Sequence, residues 1–95
     1  VQSVNLSGNN LCKIDPLGLL TNLEFLFISE NLIESIDCLE NLGRLKELDI
    51  SFNEIEDITV LLKLESLVYV NVMGNPLGDT RVIRQLAERG VIVIS

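Results

Sequence analysis

Four asparagines recur in this chain at a constant interval of 22 residues. They are Asn9, Asn31, Asn53 and Asn75. Aligned on them, the chain divides into blocks 1–22, 23–44, 45–66 and 67–88. Each block has an aliphatic residue at block positions 1, 4, 6 and 11, and the first three blocks have one again at positions 14, 17 and 20. A fixed period of this length predicts a solenoid, in which each block buries its apolar face against its neighbours.

Two apolar patterns within a block predict two kinds of local structure. Positions 3–7 alternate between polar and apolar residues, which is the period of a half-buried strand. In the second block this alternation points Leu26 and Ile28 inward and Phe25 and Phe27 outward. Positions 14–20 carry apolar residues at every third position, which favours short helical or 3-10 segments. The blocks therefore predict a parallel sheet on one side of the solenoid and helical segments on the other.

The asparagine at block position 9 is interpreted as part of the scaffold. It stands where the chain leaves the strand, so that nearby backbone groups lose their sheet partners and need others. An amide side chain offers both hydrogen-bond donors and an acceptor. We therefore predict a structural ladder of stacked asparagines rather than a functional site.

The block pattern LxxLxLxxNxIxxIxxLxxLxx resembles the leucine-rich repeat in its 22-residue form. The resemblance, to internalins of bacterial surfaces and to phosphatase-regulatory proteins of the eukaryotic cytosol, covers residues 1–75 without a gap and continues more loosely to the end. It implies one α/β domain over residues 1–95. The expected fold is a right-handed solenoid with a parallel concave sheet, short helical or 3-10 convex segments, and a C-terminal capping helix and strand at about 76–95. The class has many binding roles, so the resemblance alone identifies no function.

The C-terminal segment NPLGDTRVIRQLAERG predicts the capping helix. Asp79 or Thr80 can cap its N-terminus, and Gly90 fits the position just after its C-terminus. Its outward residues are polar, as the outer face of a terminal cap needs to be.

The final run VIVI predicts a strand that closes the sheet, with two registers open. Strict 22-residue spacing points Ile92 and Ile94 inward. A helix one residue shorter would point Val91 and Val93 inward, and the resemblance to family members that end in a similar segment favours the valines.

The first block has no equivalent cap. Its apolar residues Val4, Leu6, Leu11 and Ile14 are expected to face water. Because terminal repeats need a polar outer face for solubility, we expect the chain to be part of a longer protein, or a partner to cover this face.

Block positions 2, 3, 5, 7 and 8 are predicted to face the concave side of the sheet. All four aromatic residues fall at these positions, together with the one methionine, and aromatic residues and Met are enriched at protein interfaces. We predict a partner-binding site made of Phe25, Phe27, Glu47, Asp49, Phe52, Tyr69 and Met73. A structural role at the edge of the core stays open for Phe52, and incidental cross-strand pairing stays open for the other aromatics.

The charge of the chain predicts the kind of partner. The net charge is −7, and the aromatic positions are surrounded by Glu24, Glu30, Glu54 and the two acids of the site, with Lys46 as the nearby base. We expect a protein partner with basic and apolar contact residues. Nucleic acid is disfavoured because phosphates need Lys and Arg to neutralise them, and membrane insertion because no apolar run approaches about 20 residues.

The residue types present argue against catalysis. The chain has no histidine, so triads that use His and metal sites that use His are excluded, and it has no glycine-rich phosphate loop. We predict no enzyme activity, no cofactor and no metal. Two alternatives to a binding module stay open: a spacer within a longer solenoid, and a regulatory subunit of an enzyme such as a phosphatase.

The two cysteines, Cys12 and Cys38, fit no paired spacing and are predicted to be free thiols. Free thiols slightly favour the cytoplasm, and a bacterial or cell-surface location stays open.

Overall fold

Each 22-residue block contributes one short strand to a parallel sheet. The computed structural model describes residues 2–95; Val1, predicted at the first core position, lies outside them. The strands are β1 (Ser3–Asn5), β2 (Phe25–Phe27), β3 (Glu47–Asp49), β4 (Tyr69–Asn71) and β5 (Ile92–Ile94). They are hydrogen-bonded in the order of the sequence, β1-β2-β3-β4-β5. The predicted parallel sheet is confirmed.

The segments that return the chain from one strand to the next are helical. They are three 3-10 helices, at Asp15–Leu19, Asp37–Asn41 and Thr59–Lys63, and one α-helix, α1, at Arg81–Glu88. Each 3-10 helix contacts the next, and α1 contacts the third. The predicted short helical segments and the C-terminal capping helix are therefore confirmed.

An aliphatic core fills the space between the sheet and the helical segments. Leu26 of β2 and Leu48 of β3 are fully buried, and so are Ile28 and Ile50 just after these strands. Equivalent residues lie side by side, as in the pair Leu26 and Leu48. Burying a Leu or Ile side chain contributes about 1.5–3 kcal/mol, so each block is stabilised mainly by the apolar residues it stacks on its neighbours.

The N-terminus of α1 is capped by Asp79. The Asp79 Oδ1 accepts a hydrogen bond from the backbone amide of Arg81 at 2.9 Å, whereas Thr80 makes no capping bond with its side chain. Val82 and Leu86 bury the inner face of the helix. After the helix, Gly90 adopts a φ of +90°, the left-handed conformation that favours glycine at this position.

β5 adopts the valine register. Val70 pairs with Val93 and Tyr69 with Ile92, so that Val91 and Val93 point toward the core. The strict 22-residue alternative, with Ile92 and Ile94 inward, is wrong. The valines that the family resemblance favours are thus the inward residues, but the expected shortening of the helix is wrong. Val93 lies 23 residues after Val70, so the last interval, which contains an α-helix, is one residue longer than the others.

The first block is better covered than its sequence suggests. Ile14 is only 3% exposed, so the expectation that it faces water is wrong. The second block covers it, and the Cys38 thiol lies 3.5 Å from its carbonyl oxygen. Val4, Leu6 and Leu11 are half-buried against the core.

Candidate partner-binding surface

The face of the sheet that points away from the core, here called the concave face, carries two rows of side chains. The strand register aligns them across the sheet. The position-3 row is Ser3, Phe25, Glu47, Tyr69 and Ile92. The position-5 row is Asn5, Phe27, Asp49, Asn71 and Ile94. Neighbouring members of a row are on strands about 4.8 Å apart.

Three of the four aromatic residues belong to these rows. Phe25 and Phe27 lie on the same face of β2, two residues apart, and Tyr69 lies on β4; all three are half-buried. Glu47 lies between Phe25 and Tyr69 in the position-3 row. The rows thus bring the predicted aromatic residues onto one surface, with a carboxylate between them.

Ile92 and Ile94 also lie in the rows, and strict 22-residue spacing missed them because it placed both in the core. Ile92 is 61% exposed beside Tyr69, which extends the apolar surface to the last strand. The resemblance to family members that end in a similar segment favours inward valines, and this is the signal that places the two isoleucines on the outward face.

Phe52 and Met73 lie beyond the ends of β3 and β4, respectively. They are 53% and 39% exposed. Their backbones are joined, since the Phe52 amide donates to the Met73 carbonyl at 2.8 Å. The Phe52 ring packs over Gly74, where a Cβ would lie only 2.8 Å from its Cε1 atom. Phe52 is therefore outside the core, with one side of its ring against the backbone of the next block.

The side chains of the serines at block position 7 are not free on the concave side, contrary to the expectation for this position. Ser51 is 4% exposed, and its hydroxyl donates to Asp49 Oδ1 at 2.6 Å. Ser29 donates to the Ser7 hydroxyl at 3.1 Å. These short side chains bond to each other and to their own turn, so they add little to a contact surface.

Asp49 lies in the position-5 row, and its side chain also stabilises a local turn. Its Oδ1 accepts the backbone amide of Ser51 at 3.0 Å. Asn5 and Asn71, in the same row, bond in the same way to the amides two residues later, at 3.1 and 3.0 Å. The Asp49 side chain thus has a structural partner, whereas no hydrogen bond or ion pair within residues 2–95 involves the half-buried side chain of Glu47.

The ion pairs of the described part of the chain lie away from the concave face. Lys63 pairs with Glu40 at 3.5 Å between two 3-10 helices, and Arg81 pairs with Asp79 at 2.9 Å at the start of α1. The acids near the aromatic rows, Glu24 and Glu47 among them, are not neutralised by these pairs. The concave face is therefore negative.

The remaining polar clusters lie on the helical side. A groove of about 300 Å³ is lined by Asp37, Glu40, Asp57, Thr59, Val60 and Lys63. Within residues 2–95, no group of three or more His, Cys, Asp or Glu residues is arranged to hold a metal ion.

Cys12 is exposed and Cys38 is half-buried, and both are free. Burial, and then the charge of Asp15, raises the pKa of the Cys38 thiol.

Comparison with solved structures gives the relatives of this fold. An internalin (inlF) from Listeria monocytogenes matches the whole chain with a TM-score of 0.85 and 31% identity, and an internalin C2 from the same species matches it with 0.85 and 32%. A family model described as a leucine-rich repeat matches residues 45–58, from the start of the third block to its first helical-side core residue. The chain has the leucine-rich-repeat fold.

The leucine-rich-repeat relatives are longer than this chain. It spans 28% of the first internalin and 41% of the second. A leucine-rich-repeat protein from Leptospira interrogans also matches the whole chain with a TM-score of 0.85, at 23% identity and over 25% of its own length, and supports the fold alone. Among curated proteins, none matches.

The leucine-rich-repeat fold is typical of protein–protein interaction modules, and this family and its internalin-like members are typically non-catalytic. Within the part of the chain that the structure describes, no helix has the length and apolar character needed to cross a membrane.

Proposed function

We propose that this leucine-rich-repeat domain binds a partner protein on its concave face and performs no catalysis. One observation carries the proposal: Phe25, Phe27 and Tyr69 lie in outward rows of the sheet, where the core does not require them. Aromatic side chains supply much of the binding energy of protein interfaces. Ile92 adds an exposed apolar side chain to the same surface.

The contact residues that we propose are those predicted from the sequence, with one addition. They are Phe25, Phe27, Glu47, Asp49, Phe52, Tyr69, Met73 and Ile92. Glu47 lies between two aromatics without an ion pair among the described residues, which favours a basic group on the partner. The asparagines Asn9, Asn31, Asn53 and Asn75 are proposed as scaffold rather than contact residues.

The experiment is a comparison of matched variants in partner capture. Proteins would be captured in separate experiments with the wild-type chain and with the Phe25→Ala/Phe27→Ala variant. For each protein that the wild type captures and the variant does not, the affinity for both chains would then be measured. Leu19→Ala is the control, because Leu19 is an 81% exposed apolar residue on a 3-10 helix rather than on the sheet. We expect the double variant to lose at least about 30-fold in affinity, the size of a hot-spot truncation, and the control to bind as wild type. Unchanged binding by a folded double variant would contradict the proposal.

The second candidate is a structural segment within a longer solenoid. The observation that favours it is that the internalins it matches are more than twice its length, so that the matched repeats are one part of those proteins. Capture of the same proteins by the wild type and the double variant would support this candidate. Regulation of an enzyme such as a phosphatase is a special case of partner binding and rests on the family resemblance alone.

A further inference from the structure

The chain leaves each strand of the first four blocks through a left-handed residue at block position 8. The φ angles are +73° at Gly8, +54° at Glu30, +56° at Phe52 and +75° at Gly74. Glycine adopts this conformation freely, whereas a bulky side chain rarely does. The turn is thus a property of the repeat, and two of the four blocks use the residue that suits it best. Phe52 is the one aromatic residue held there.

Core packing does not explain why an aromatic ring stands at this position. It is 53% exposed, and its contact is with Gly74 of the next block, whose missing side chain leaves room for it. An aromatic ring held at a strained backbone position and open to solvent is the kind of outlier that points to a function. Its free side is available to a ligand.

Two acidic residues occupy backbone positions close to Phe52. Glu30 occupies the same block position one strand earlier. Backbone hydrogen bonds join these strand-end turns: the Glu30 amide donates to the Ser51 carbonyl at 2.9 Å, and the Phe52 amide donates to the Met73 carbonyl at 2.8 Å. Glu54, two residues after Phe52, is exposed. Neither Glu30 nor Glu54 takes part in an ion pair of the described residues. An exposed aromatic face beside free carboxylates suits a planar cation.

We propose that Phe52 is a specificity residue that recognises an arginine side chain of the partner protein. The guanidinium stacks on the exposed face of the ring and pairs with the carboxylate of Glu30, while the exposed Met73 contacts the aliphatic part of the arginine. Arginine fits better than lysine because its flat, delocalised cation can stack and bind a carboxylate at the same time. This inference rests on the proposed function, because it names a feature of the partner that the concave face would bind.

The first test asks whether the ring belongs to the scaffold. Phe52→Gly and Glu30→Gly relieve the same left-handed strain, but only the first removes a ring. We expect the urea midpoints of both variants to equal or exceed that of the wild type. A Phe52→Gly midpoint far below that of Glu30→Gly would show that the ring stabilises the fold, and would overturn the inference.

The second test uses labelled peptides as probes. Three amphipathic helical peptides share one leucine face and carry arginine, lysine or citrulline on the other, and binding is followed by fluorescence anisotropy. We expect the wild type to prefer the arginine peptide over the lysine peptide by roughly fivefold, within the range of a cation–π contact. Phe52→Gly should abolish this preference, Glu30→Gln should reduce it, and Leu19→Ala should leave it unchanged. No preference for arginine in the wild type, or a preference that persists in Phe52→Gly, would overturn the inference.

The outcomes separate this inference from the proposed function. If Phe25→Ala/Phe27→Ala abolishes binding while Phe52→Gly keeps the arginine preference, the concave-face proposal stands and the role of Phe52 is refuted. If only Phe52→Gly has an effect, the arginine site stands and the aromatic rows are not the binding surface.

Discussion

The backbone amide of Leu11 in the first block donates to the side chain of Asn31 in the second, with 2.8 Å between the nitrogen and Oδ1. The same oxygen accepts the amide of Asn9 at 3.0 Å, and the Asn31 side-chain nitrogen donates to the carbonyls of Leu6 at 3.0 Å and Ile28 at 3.1 Å. One amide side chain thus joins the turns of two blocks. It supplies partners for backbone groups that leave the sheet at the strand end.

The first prediction concerns this ladder. Asn53 is 4% exposed; its Oδ1 accepts the amide of Ile33 at 3.0 Å, and its nitrogen donates to the Ile28 carbonyl at 3.0 Å. Asn53→Ala leaves the buried Ile33 amide unpaired and removes one of the two side-chain donors to the Ile28 carbonyl. We therefore expect the free energy of unfolding to fall by about 1–3 kcal/mol, measured by urea denaturation. Asn9→Ala is the control, because Asn9 is exposed and its side chain bonds within its own block, to Leu6 at 2.9 Å. Equal losses in the two variants would contradict a ladder that acts between blocks.

Most of the fold could be predicted because one register governs it. Once the asparagines fix the block boundaries, alternation places residues such as Leu26 and Leu48 inward and side by side, as the structure has them. The closing strand could not be placed in this way. An α-helix replaces the 3-10 segment in the last interval, and the change adds one residue between Val70 and Val93. The 22-residue period is read from three equal intervals. It does not predict that the fourth interval contains a different kind of secondary structure.

The same distinction applies to the candidate site. Which strand residues share a face follows from alternation, so the rows that hold Phe25 and Tyr69 could be predicted. Which polar side chains bond locally could not, because such bonds depend on side-chain conformation. Asp49 and Ser51 illustrate this, since their 2.6 Å hydrogen bond turns a predicted contact position into part of a turn. The left-handed backbone of Phe52 also leaves no mark on the apolar pattern.

The second prediction concerns the packing of the first two 3-10 helices. A Cβ on Gly18 would overlap the backbone carbonyl oxygen of Cys38 and lie 3.5 Å from its Cβ. Gly18→Ala forces the two segments apart, so we expect a loss of about 1–3 kcal/mol in the free energy of unfolding, as for other overpacked sites. Gly43→Ala is the matched control, because no atom lies within 4 Å of a Cβ there. It should be neutral or stabilising by up to about 1 kcal/mol. Similar effects in the two variants would contradict this close approach.

The third prediction tests the register of β5 with two adjacent residues. Val91 is 6% exposed and Ile92 is 61% exposed. Val91→Asp places a carboxylate in the core, and we expect a loss of about 3 kcal/mol or more in the free energy of unfolding. Ile92→Asp puts the carboxylate on the concave face and should cost about 1 kcal/mol or less. Urea denaturation of both variants is the measurement. The opposite order would mean that the strict 22-residue register holds in solution.

The fourth prediction concerns stability in acid. The Asp79 carboxylate pairs with the Arg81 guanidinium at 2.9 Å and accepts the Arg81 backbone amide at 2.9 Å, and these bonds, the guanidinium first, hold the pKa of Asp79 at about 2. In the unfolded chain an aspartate titrates near its ordinary pKa of about 3.9. Because the folded pKa is the lower one, the unfolded state binds the proton more readily, so this contribution to stability is complete above about pH 4 and is lost as the pH falls toward 2. We therefore expect Asp79→Asn to lose less stability than the wild type between pH 4 and pH 2, when urea midpoints are measured along the series.

Asp57→Asn should act in the same direction, since hydrogen bonds from the backbone amide and the hydroxyl of Thr59 lower the pKa of Asp57. The difference should shrink in high salt, because both carboxylates are exposed. An identical decline in the wild type and in the combined Asp57→Asn/Asp79→Asn variant would show that neither group contributes.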